Sequence, residues 1–250
     1  MQEIIERAAA ALANAQHVVA VTGAGVSEES GIPTFRGDHG IWLKYPIEEF
    51  GTIDAYLADA DKVWTFWCEL SELVKDCRPN PAHYALAELE TLGRMETIIT
   101  QNVDNLHQEA GSKSVLEYHG NARKLVCLDC RQRCPFDLEN MTKLAPKCGP
   151  CGGLLKPDVV MFGENIPNYA LFEASARAQK CDVMIVIGTS AQVFPAAELP
   201  FTAKEHGAFV IECNTEPTDF TRLVTDVFLE GPAGETLPEL VKNVKNRPVN

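Results

Sequence analysis

A chain of 250 residues, of which 46% are hydrophobic, is long enough for one large α/β domain or for a domain with a smaller insertion. No apolar run approaches the ~20 residues of a membrane span, and the acidic, amphipathic N-terminus is unlike a signal peptide, so we expect a cytoplasmic protein. A net charge of −13 argues against nucleic-acid binding, which requires cationic side chains to neutralise phosphates. That charge suits a lysine-rich peptide as a partner, or serves solubility alone.

Short apolar segments alternate with amphipathic helical segments along most of the chain. The predicted strands are residues 18–21, 97–100, 183–187, 209–213 and 226–229. The predicted helices are residues 3–14, 61–75, 81–92, 169–179, 196–205 and 237–246. Apolar strands separated by helices are typical of a mostly parallel sheet that is covered on both faces, so the pattern predicts an α/β fold.

Two stretches interrupt this alternation. Residues 38–77 are helical and rich in aromatic side chains, whereas residues 124–155 are rich in Cys, Pro and Lys and show little helix or strand periodicity. We predict that these two insertions form a small second domain, with a helical part and a zinc-ribbon part. The large domain then consists of residues 1–37, 78–123 and 156–250.

The first predicted strand ends in a glycine turn, Gly23-Ala24-Gly25, before a Ser/Glu-rich segment that can begin a helix. Such a turn presents free backbone N–H groups to a phosphate, and its glycines can adopt positive φ and admit a pyrophosphate. The third glycine of GxGxxG is absent, and with it the fingerprint of hydride transfer. By itself the turn fits either a nucleotide site or an ordinary strand-to-helix connection. The loop that follows adds an aromatic side chain and a cation, Phe35 and Arg36.

Small or polar residues follow four of the predicted strands. They are Gly23 to Gly25, Gln101 to Asp104, Gly188 to Ser190, and Asn214. Ligands bind at the carboxyl ends of strands in open parallel sheets, so this clustering predicts a ligand cleft. His119 precedes the cysteine-rich insertion. A lone histidine at this position is either a structural residue or part of a site between the two domains.

Nine cysteines in a chain with no export signal favour metal or thiol chemistry over disulfides. Cys127, Cys130, Cys148 and Cys151 form two CxxC pairs separated by seventeen residues, a spacing typical of four-cysteine zinc sites. Four thiolates complete a tetrahedral shell and leave no position for water. The sequence therefore predicts one structural zinc ion, with Cys134 left over as a spare thiol.

Several motifs, taken together and in order, resemble those of the sirtuins, the NAD-dependent protein-lysine deacylases. They are GAGVSEESGIPTFRG, TQNVDNLH, His119-Gly120, the paired CxxC, PDVVMFGE, GTSAQVFPAAELP and Asn214. The match runs from about residue 14 to the C-terminus, as in single-core sirtuins of the bacterial and archaeal type. It implies a Rossmann-like (DHS-like) NAD-binding domain with a small zinc-bearing domain. It also implies an acyltransferase that consumes NAD as a co-substrate. Because no hydride is transferred in such a reaction, the absence of the third glycine of GxGxxG is explained.

The resemblance also implies the roles of individual residues. His119 would act as the general base on the ribose hydroxyl after the acyl oxygen has displaced nicotinamide, with Asn102 as the second catalytic residue. The implied NAD-binding residues are Gly23, Ala24, Gly25, Ser27, Ile32, Phe35, Arg36, Gln101, Asn102, Asp104, Gly188, Thr189, Ser190 and Asn214. An acyl-lysine peptide would insert as a β-strand between Val160, Phe162, Gly163 and Glu164 on one side and Val193 on the other. The products would be O-acyl-ADP-ribose and free lysine.

One departure from the family pattern bears on the acyl group. Sirtuins that prefer succinyl- or malonyl-lysine carry Tyr-x-x-Arg in a helix of the small domain. Here Trp64 stands in place of the Tyr and Trp67 in place of the Arg, with Glu69 nearby. A negatively charged acyl group would lack its cation, so we expect a preference for neutral acyl groups, acetyl above all, and the preferred chain length stays open.

Two other functions stay open at this point. The same scaffold could carry out mono-ADP-ribosyl transfer, in which a different acceptor traps the activated ribose. The chain could instead be a zinc-ribbon binding module with a vestigial nucleotide fold. The presence of His119, Asn102 and Asp104 disfavours the binding module, and the acidic charge disfavours nucleic acid as its ligand. The expected partners are acyl-lysine peptides or proteins, with neither nucleic acid nor a membrane among them.

Overall fold

A computed structural model describes residues 2–34, 40–137 and 141–247. Its strands are β1 (Val18–Thr22), β2 (Thr97–Thr100), β3 (Val115–Glu117), β4 (Gly120–Cys127), β5 (Arg133–Pro135), β6 (Leu155–Val159), β7 (Val183–Ile187), β8 (Phe209–Asn214) and β9 (Val227–Glu230). Its α-helices are α1 (Gln2–Asn14), α2 (Ile41–Lys44), α3 (Ile47–Phe50), α4 (Ile53–Ala58), α5 (Ala60–Val74), α6 (Pro81–Thr91), α7 (Leu106–Glu109), α8 (Asn168–Lys180), α9 (Leu199–Glu205), α10 (Asp219–Leu223) and α11 (Ala233–Lys245). Two 3₁₀ segments span Ala24–Ser30 and Ala196–Glu198.

Six strands form one parallel sheet in the order β3-β2-β1-β7-β8-β9. Strands β1, β2 and β7 are buried at every residue, which accounts for their almost uninterrupted apolar sequences. The strand order reverses beside β1, which pairs with β2 on one side and β7 on the other. Ligand clefts of open α/β sheets form at such a reversal. The predicted α/β fold with a Rossmann-like parallel sheet is confirmed.

Helices cover both faces of this sheet. On one face α1, α6 and α11 bury Leu12, Leu86 and Leu240 completely, and each buried leucine contributes about 1.5–3 kcal/mol to stability. On the other face α8 packs through a stripe of alanines, of which Ala174 is fully buried. The described helices include none that is both long and apolar enough to cross a membrane.

A second, antiparallel sheet contains β5, β4 and β6 in that order. The sequence did not predict these strands, because β5 has only three residues and the β4–β6 register shifts between Asn121 and Leu125. Strand β3, at the edge of the large sheet, was missed for the same reason of length. The helix expected over residues 196–205 is divided into a 3₁₀ segment and α9.

Helices α2–α5 pack against the antiparallel sheet through aromatic side chains. Tyr45 and Phe66 lie 4.8 Å apart between ring centroids, and the cluster continues through Trp42 and Phe50. Tyr56 is fully buried, and its hydroxyl donates to the carbonyl of Leu155 in β6 at 2.5 Å. The two insertions therefore share a core, while the exact domain boundaries stay a prediction.

Candidate active site

The carboxyl ends of β1, β2, β7 and β8 open into a cleft of about 1280 Å³, larger than a typical pocket for one small ligand. Of the predicted NAD-binding residues, the cleft is lined by Gly23, Ala24, Gly25, Gln101, Asn102, Gly188, Thr189, Ser190 and Asn214. All five predicted peptide-binding residues line it too: Val160, Phe162, Gly163, Glu164 and Val193. His119 lies on the same cleft. The structure thus brings together residues that are up to 191 positions apart in the chain.

Not every predicted residue faces the open cleft. Ser27, Ile32 and Asp104 are not among its lining residues. Ser27 is fully buried and is joined to Asp104 by a hydrogen bond. Phe35 and Arg36 lie outside the described residues.

The glycine turn is shaped by a close backbone contact. The expectation that Gly23 and Gly25 take positive φ is wrong: Gly23 has a φ of −122°, and Gly25 lies inside the 3₁₀ segment. A Cβ at Gly23 would lie 2.8 Å from the Gly188 oxygen, and one at Gly25 would lie 2.8 Å from the Gly188 Cα. Gly188 itself has a φ of 57°. The turns after β1 and β7 therefore touch backbone to backbone, which only glycine permits.

The same contact occupies amides that the sequence suggested would be free for a phosphate. The N–H of Gly23 donates to the Ile187 carbonyl at 3.0 Å, and the N–H of Gly25 donates to the Gly188 carbonyl at 2.8 Å. The N–H of Val26 donates back to the Gly23 carbonyl at 3.1 Å. The expectation of free N–H groups at Gly23 and Gly25 is therefore wrong, and the turn forms part of the cleft wall.

Asn102 is held from two directions. Its side-chain amide donates to the Ser27 hydroxyl at 3.0 Å, and its backbone N–H donates to the Thr100 hydroxyl at 3.1 Å. The Ser27 hydroxyl in turn donates to the Asp104 carboxylate at 2.7 Å. Burial raises the pKa of the Asp104 carboxyl. The hydrogen bonds that it accepts from the Leu106 N–H and the Ser27 hydroxyl lower this pKa, but their effect is smaller than that of burial. Asn102 therefore lies at the cleft surface, and hydrogen bonds to Ser27 and Thr100 hold its side chain and its backbone in place.

A buried histidine completes this support. The backbone N–H of Asn80 donates to Nδ1 of His83 at 3.2 Å, so in the neutral ring the proton is on Nε2, which faces the Ser27 oxygen at 3.4 Å. Burial lowers the pKa of His83 to about 4, so the ring is uncharged near neutral pH. His83 is not among the predicted site residues, although Asn80-Pro81 marks the start of a helix with His83 at its third position.

A second histidine lies behind the first, with the two ring centroids 4.8 Å apart. The Thr22 hydroxyl donates to Thr100 at 2.9 Å, so its oxygen accepts from Nε2 of His107, also at 2.9 Å. Burial lowers the pKa of His107 to about 3. Thr100 thus links this neutral ring to the backbone of Asn102.

His119 has the geometry of a neutral base. Its Nδ1 lies 3.1 Å from the carbonyl oxygen of Gln101, an atom that can only accept, so Nδ1 carries the proton and Nε2 is left as the basic nitrogen. Burial lowers the pKa of His119, and the bond to Gln101 opposes that shift. The Gln101 side chain also donates to the Thr189 hydroxyl at 3.2 Å, across the ends of β2 and β7.

Residues 160–164, named here segment 160–164, cross from the large domain to the helices of the small one. The N–H of Val160 donates to the carbonyl of His119 at 2.8 Å. Phe162 exchanges backbone hydrogen bonds with Gly51 and Ile53, each at 3.0 Å. This segment and Val193 are both part of the cleft wall.

The two tryptophans of the expected acyl pocket lie in different places. Trp67 lines the cleft. Trp64 does not, because its ring packs on Phe136 at 5.1 Å and its Nε1 donates to the Thr142 carbonyl at 2.8 Å. Of the two positions that correspond to the Tyr and Arg of Tyr-x-x-Arg, only that of Trp67 therefore faces the cleft. Residues 63–74 contain no Lys or Arg, so a shift of the alignment by a residue or two around Trp67 brings no cation to its position. Lys62, near the start of the helix, is paired with Glu49 at 2.6 Å.

The four CxxC cysteines converge as the spacing predicted. Their sulfurs all lie within 4.8 Å of one another, with 3.5 Å between Cys127 and Cys151 and 3.7 Å between Cys130 and Cys148. A tetrahedral zinc ion with bonds of about 2.3 Å places its sulfurs about 3.8 Å apart, which matches these distances. A Cβ at Gly153 would lie 3.0 Å from the Cys127 sulfur, so the loop closes around the cluster through a glycine.

Comparison with known proteins gives a consistent result. The family model described as Sir2 family matches residues 23–195. An NAD-dependent protein deacylase of Thermococcus kodakarensis is 46% identical over 254 residues, which covers 97% of this chain and 96% of that protein. A crystal structure of a Sir2 homologue in complex with NAD is 44% identical, with a TM-score of 0.91 over 96% of this chain and 93% of the other. The structure of Sir2Af2 bound to a myristoylated histone peptide is 42% identical, with a TM-score of 0.80 over 98% of both chains.

Proposed function

The chain belongs to the Sir2 family, and from this premise we propose that it is an NAD-dependent protein-lysine deacylase that releases nicotinamide, O-acyl-ADP-ribose and free lysine. The observation that carries this proposal is the pair His119 and Asn102 on one cleft. His119 is neutral with Nε2 as its basic nitrogen, and Asn102 is fixed by Ser27 and Thr100. A neutral imidazole next to a cleft of this size suits proton removal from a bound ribose hydroxyl.

The proposed NAD site occupies the carboxyl ends of the parallel strands. The resemblance implies a nicotinamide pocket at Ala24, Ile32 and Asp104 and an adenosine side at Gly188 to Ser190 and Asn214. Asn214 supports this placement because its side chain donates to the Thr189 carbonyl at 3.1 Å and so joins the ends of β7 and β8. The solved relative in complex with NAD, at a TM-score of 0.91, supports NAD as the ligand.

We further propose that the acyl-lysine peptide adds as a strand between segment 160–164 and Val193. An extended chain inserted there would run between two backbone stretches of the cleft wall, and the backbone groups of Gly163 remain for it on the segment side. The Sir2Af2 complex with a myristoylated histone peptide supports an acylated peptide as the substrate class. The long acyl chain of that peptide supports a substrate range that extends beyond acetyl.

A preference for neutral acyl groups follows from the charges around the cleft. Among the lining residues that the structure describes, Arg222 is the only lysine or arginine, and it is paired with Asp219 at 3.1 Å. The part of the cleft near Trp67 is lined by apolar side chains, including Trp42, Phe66 and Met161. A succinyl carboxylate would be desolvated there without a cation to neutralise it, which is unfavourable.

Nicotinamide release tests the proposal directly. The purified protein with NAD and an acetyl-lysine peptide should release one nicotinamide for each lysine freed, and a succinyl-lysine version of the same peptide should be a poor substrate. Labelled NAD whose label is transferred to protein would indicate ADP-ribosyl transfer instead. No turnover of NAD with any acyl peptide would overturn the proposed function.

A further inference from the structure

Lys156, in strand β6, has a buried charge. Its side chain is 4% exposed, and its Nζ lies 2.9 Å from a carboxylate oxygen of Glu164. The same Nζ donates to the carbonyls of Val159 at 2.6 Å and Pro157 at 3.2 Å. An ammonium group has three donors, and all three are used. A buried charge is tolerated only with such complete pairing, so the local backbone is shaped around this amine.

Glu164 uses its carboxylate within its own turn. The oxygen that meets Lys156 also accepts from the N–H of Met161 at 2.9 Å, and the N–H of Glu164 donates to the Met161 carbonyl at 3.0 Å. Gly163, inside this turn, has a φ of 89°. The resemblance implies that Glu164 belongs to a strand beside the peptide, and its carboxylate closes the turn of residues 161–164 and pairs with Lys156.

The turn has three anchors, and one of them is a side chain. Val160 is bound to the backbone of His119, and Phe162 is bound to the backbone of Gly51 and Ile53. Lys156 supplies the third anchor by holding the Val159 carbonyl, just before the segment, and the Glu164 carboxylate, at its end. Its charge thus holds the cleft wall on either side of the two backbone contacts.

We propose that Lys156 is a positioning residue for the acyl-lysine peptide. Lys156 does not line the cleft, and it acts through Glu164 and the Val159 carbonyl to set the backbone edge to which the peptide strand adds. This inference rests on the proposed deacylase function. A strand adds with full affinity only where the N–H and C=O groups of the edge keep their spacing, so a distorted edge weakens peptide binding in particular.

The test compares Lys156→Met, which keeps the length of the side chain, with Lys156→Arg, which keeps the charge and its donors. Lys156→Met should raise the KM for an acetyl-lysine peptide about tenfold, because it leaves Glu164 unpaired, and should leave the KM for NAD and the kcat within about twofold. Lys156→Arg should recover most of the loss. Lys124→Met is the matched control, since Lys124 is a half-exposed lysine of the neighbouring strand β4 paired with Glu117.

A purely structural role predicts a different pattern. If the KM for NAD, the KM for peptide and the kcat all worsen together, in proportion to a fall in Tm, the positioning role is overturned. Glu164→Gln keeps an oxygen for the Met161 N–H but removes the ion pair, and it carries the test if Lys156→Met fails to fold. An unchanged peptide KM in both variants, with active wild-type enzyme, refutes this inference alone. An inactive wild type refutes the deacylase proposal.

Discussion

The carbonyl oxygen of Gln101 lies 3.1 Å from Nδ1 of His119 and fixes which ring nitrogen carries the proton. Gln101 follows β2 of the parallel sheet, whereas His119 directly precedes β4 of the antiparallel sheet. The hydrogen bond therefore sets the state of the proposed base at the place where the two sheets meet. The first two predictions follow from this contact.

Activity should fall on the acid side only below the ordinary histidine pKa of 6.5. Burial lowers the pKa of His119, and a general base works in its neutral form, so acidification removes activity only as the pH drops through this lowered value. A pH profile of kcat/KM, with NAD saturating and acetyl-lysine peptide varied, measures the acid limb. An acid limb centred above 6.5 would contradict the assignment.

Replacement of His119 by alanine should reduce deacylation about 100- to 10,000-fold, the usual contribution of general acid–base catalysis. The fold should survive, because the Val160 contact uses the His119 backbone carbonyl and not its ring. His206→Ala is the matched control, since His206 is an exposed histidine on the surface beside α9. Equal activity of the two variants in a nicotinamide-release assay would exclude His119 as the base.

Gly25→Ala should weaken NAD binding and destabilise the protein by about 1–3 kcal/mol, the usual cost of overpacking. The added Cβ would meet the Gly188 Cα at 2.8 Å, so the turns after β1 and β7 would have to separate. Gly149→Ala is the control, because no atom lies within 4 Å of its Cβ position. Urea denaturation and the KM for NAD report the two effects, and a Gly25→Ala variant with wild-type values for both would refute the close-contact explanation.

Cys148→Ser should lose its zinc and destabilise the small domain, because binding of a structural metal contributes directly to folding. Cys134→Ser serves as the control, since Cys134 lies outside the four-sulfur cluster. Metal analysis should find about one zinc per chain in the control and much less in Cys148→Ser. Full activity and an unchanged melting curve in the metal-free variant would show that no structural zinc is needed.

Acidification should destabilise the fold through the buried histidines before most carboxylates titrate. The pKa of His83 is lowered from 6.5 to about 4, so between these values the unfolded chain binds a proton at this position that the folded chain does not. The free energy of unfolding is therefore unaffected by His83 above pH 6.5. Below that pH, protonation of His83 in the unfolded chain lowers it by up to about 1.4 kcal/mol per pH unit. His83→Gln should show a shallower fall in urea denaturation at pH values from about 7 to 5. An equal slope in both proteins would mean that His83 does not titrate as its burial requires.

Much of the fold was predictable because its signals are local. The apolar runs of β1 and β7 predicted a parallel sheet, and the helices between them predicted its covering layers. Four strands were missed. Strands β3 and β5 have three residues each, and so short a segment has no measurable period. Strands β4 and β6 are longer, but their buried residues do not alternate strictly with exposed ones. The zinc-binding cysteines were found because their spacing alone indicates a metal.

The sequence by itself determined the family, the parallel sheet, the four metal-spaced cysteines and fifteen of the residues that line the cleft, since motifs and periodicity are properties of neighbouring residues. Tertiary structure alone decided that Gly25 is required by contact with Gly188, that His83 supports Ser27, and that Lys156 holds Glu164. The residues of the first two pairs lie far apart in the chain, so no local pattern links them. In the third pair, the buried ammonium and its carboxylate face each other only after β6 has packed against β4, because burial is a property of the folded chain.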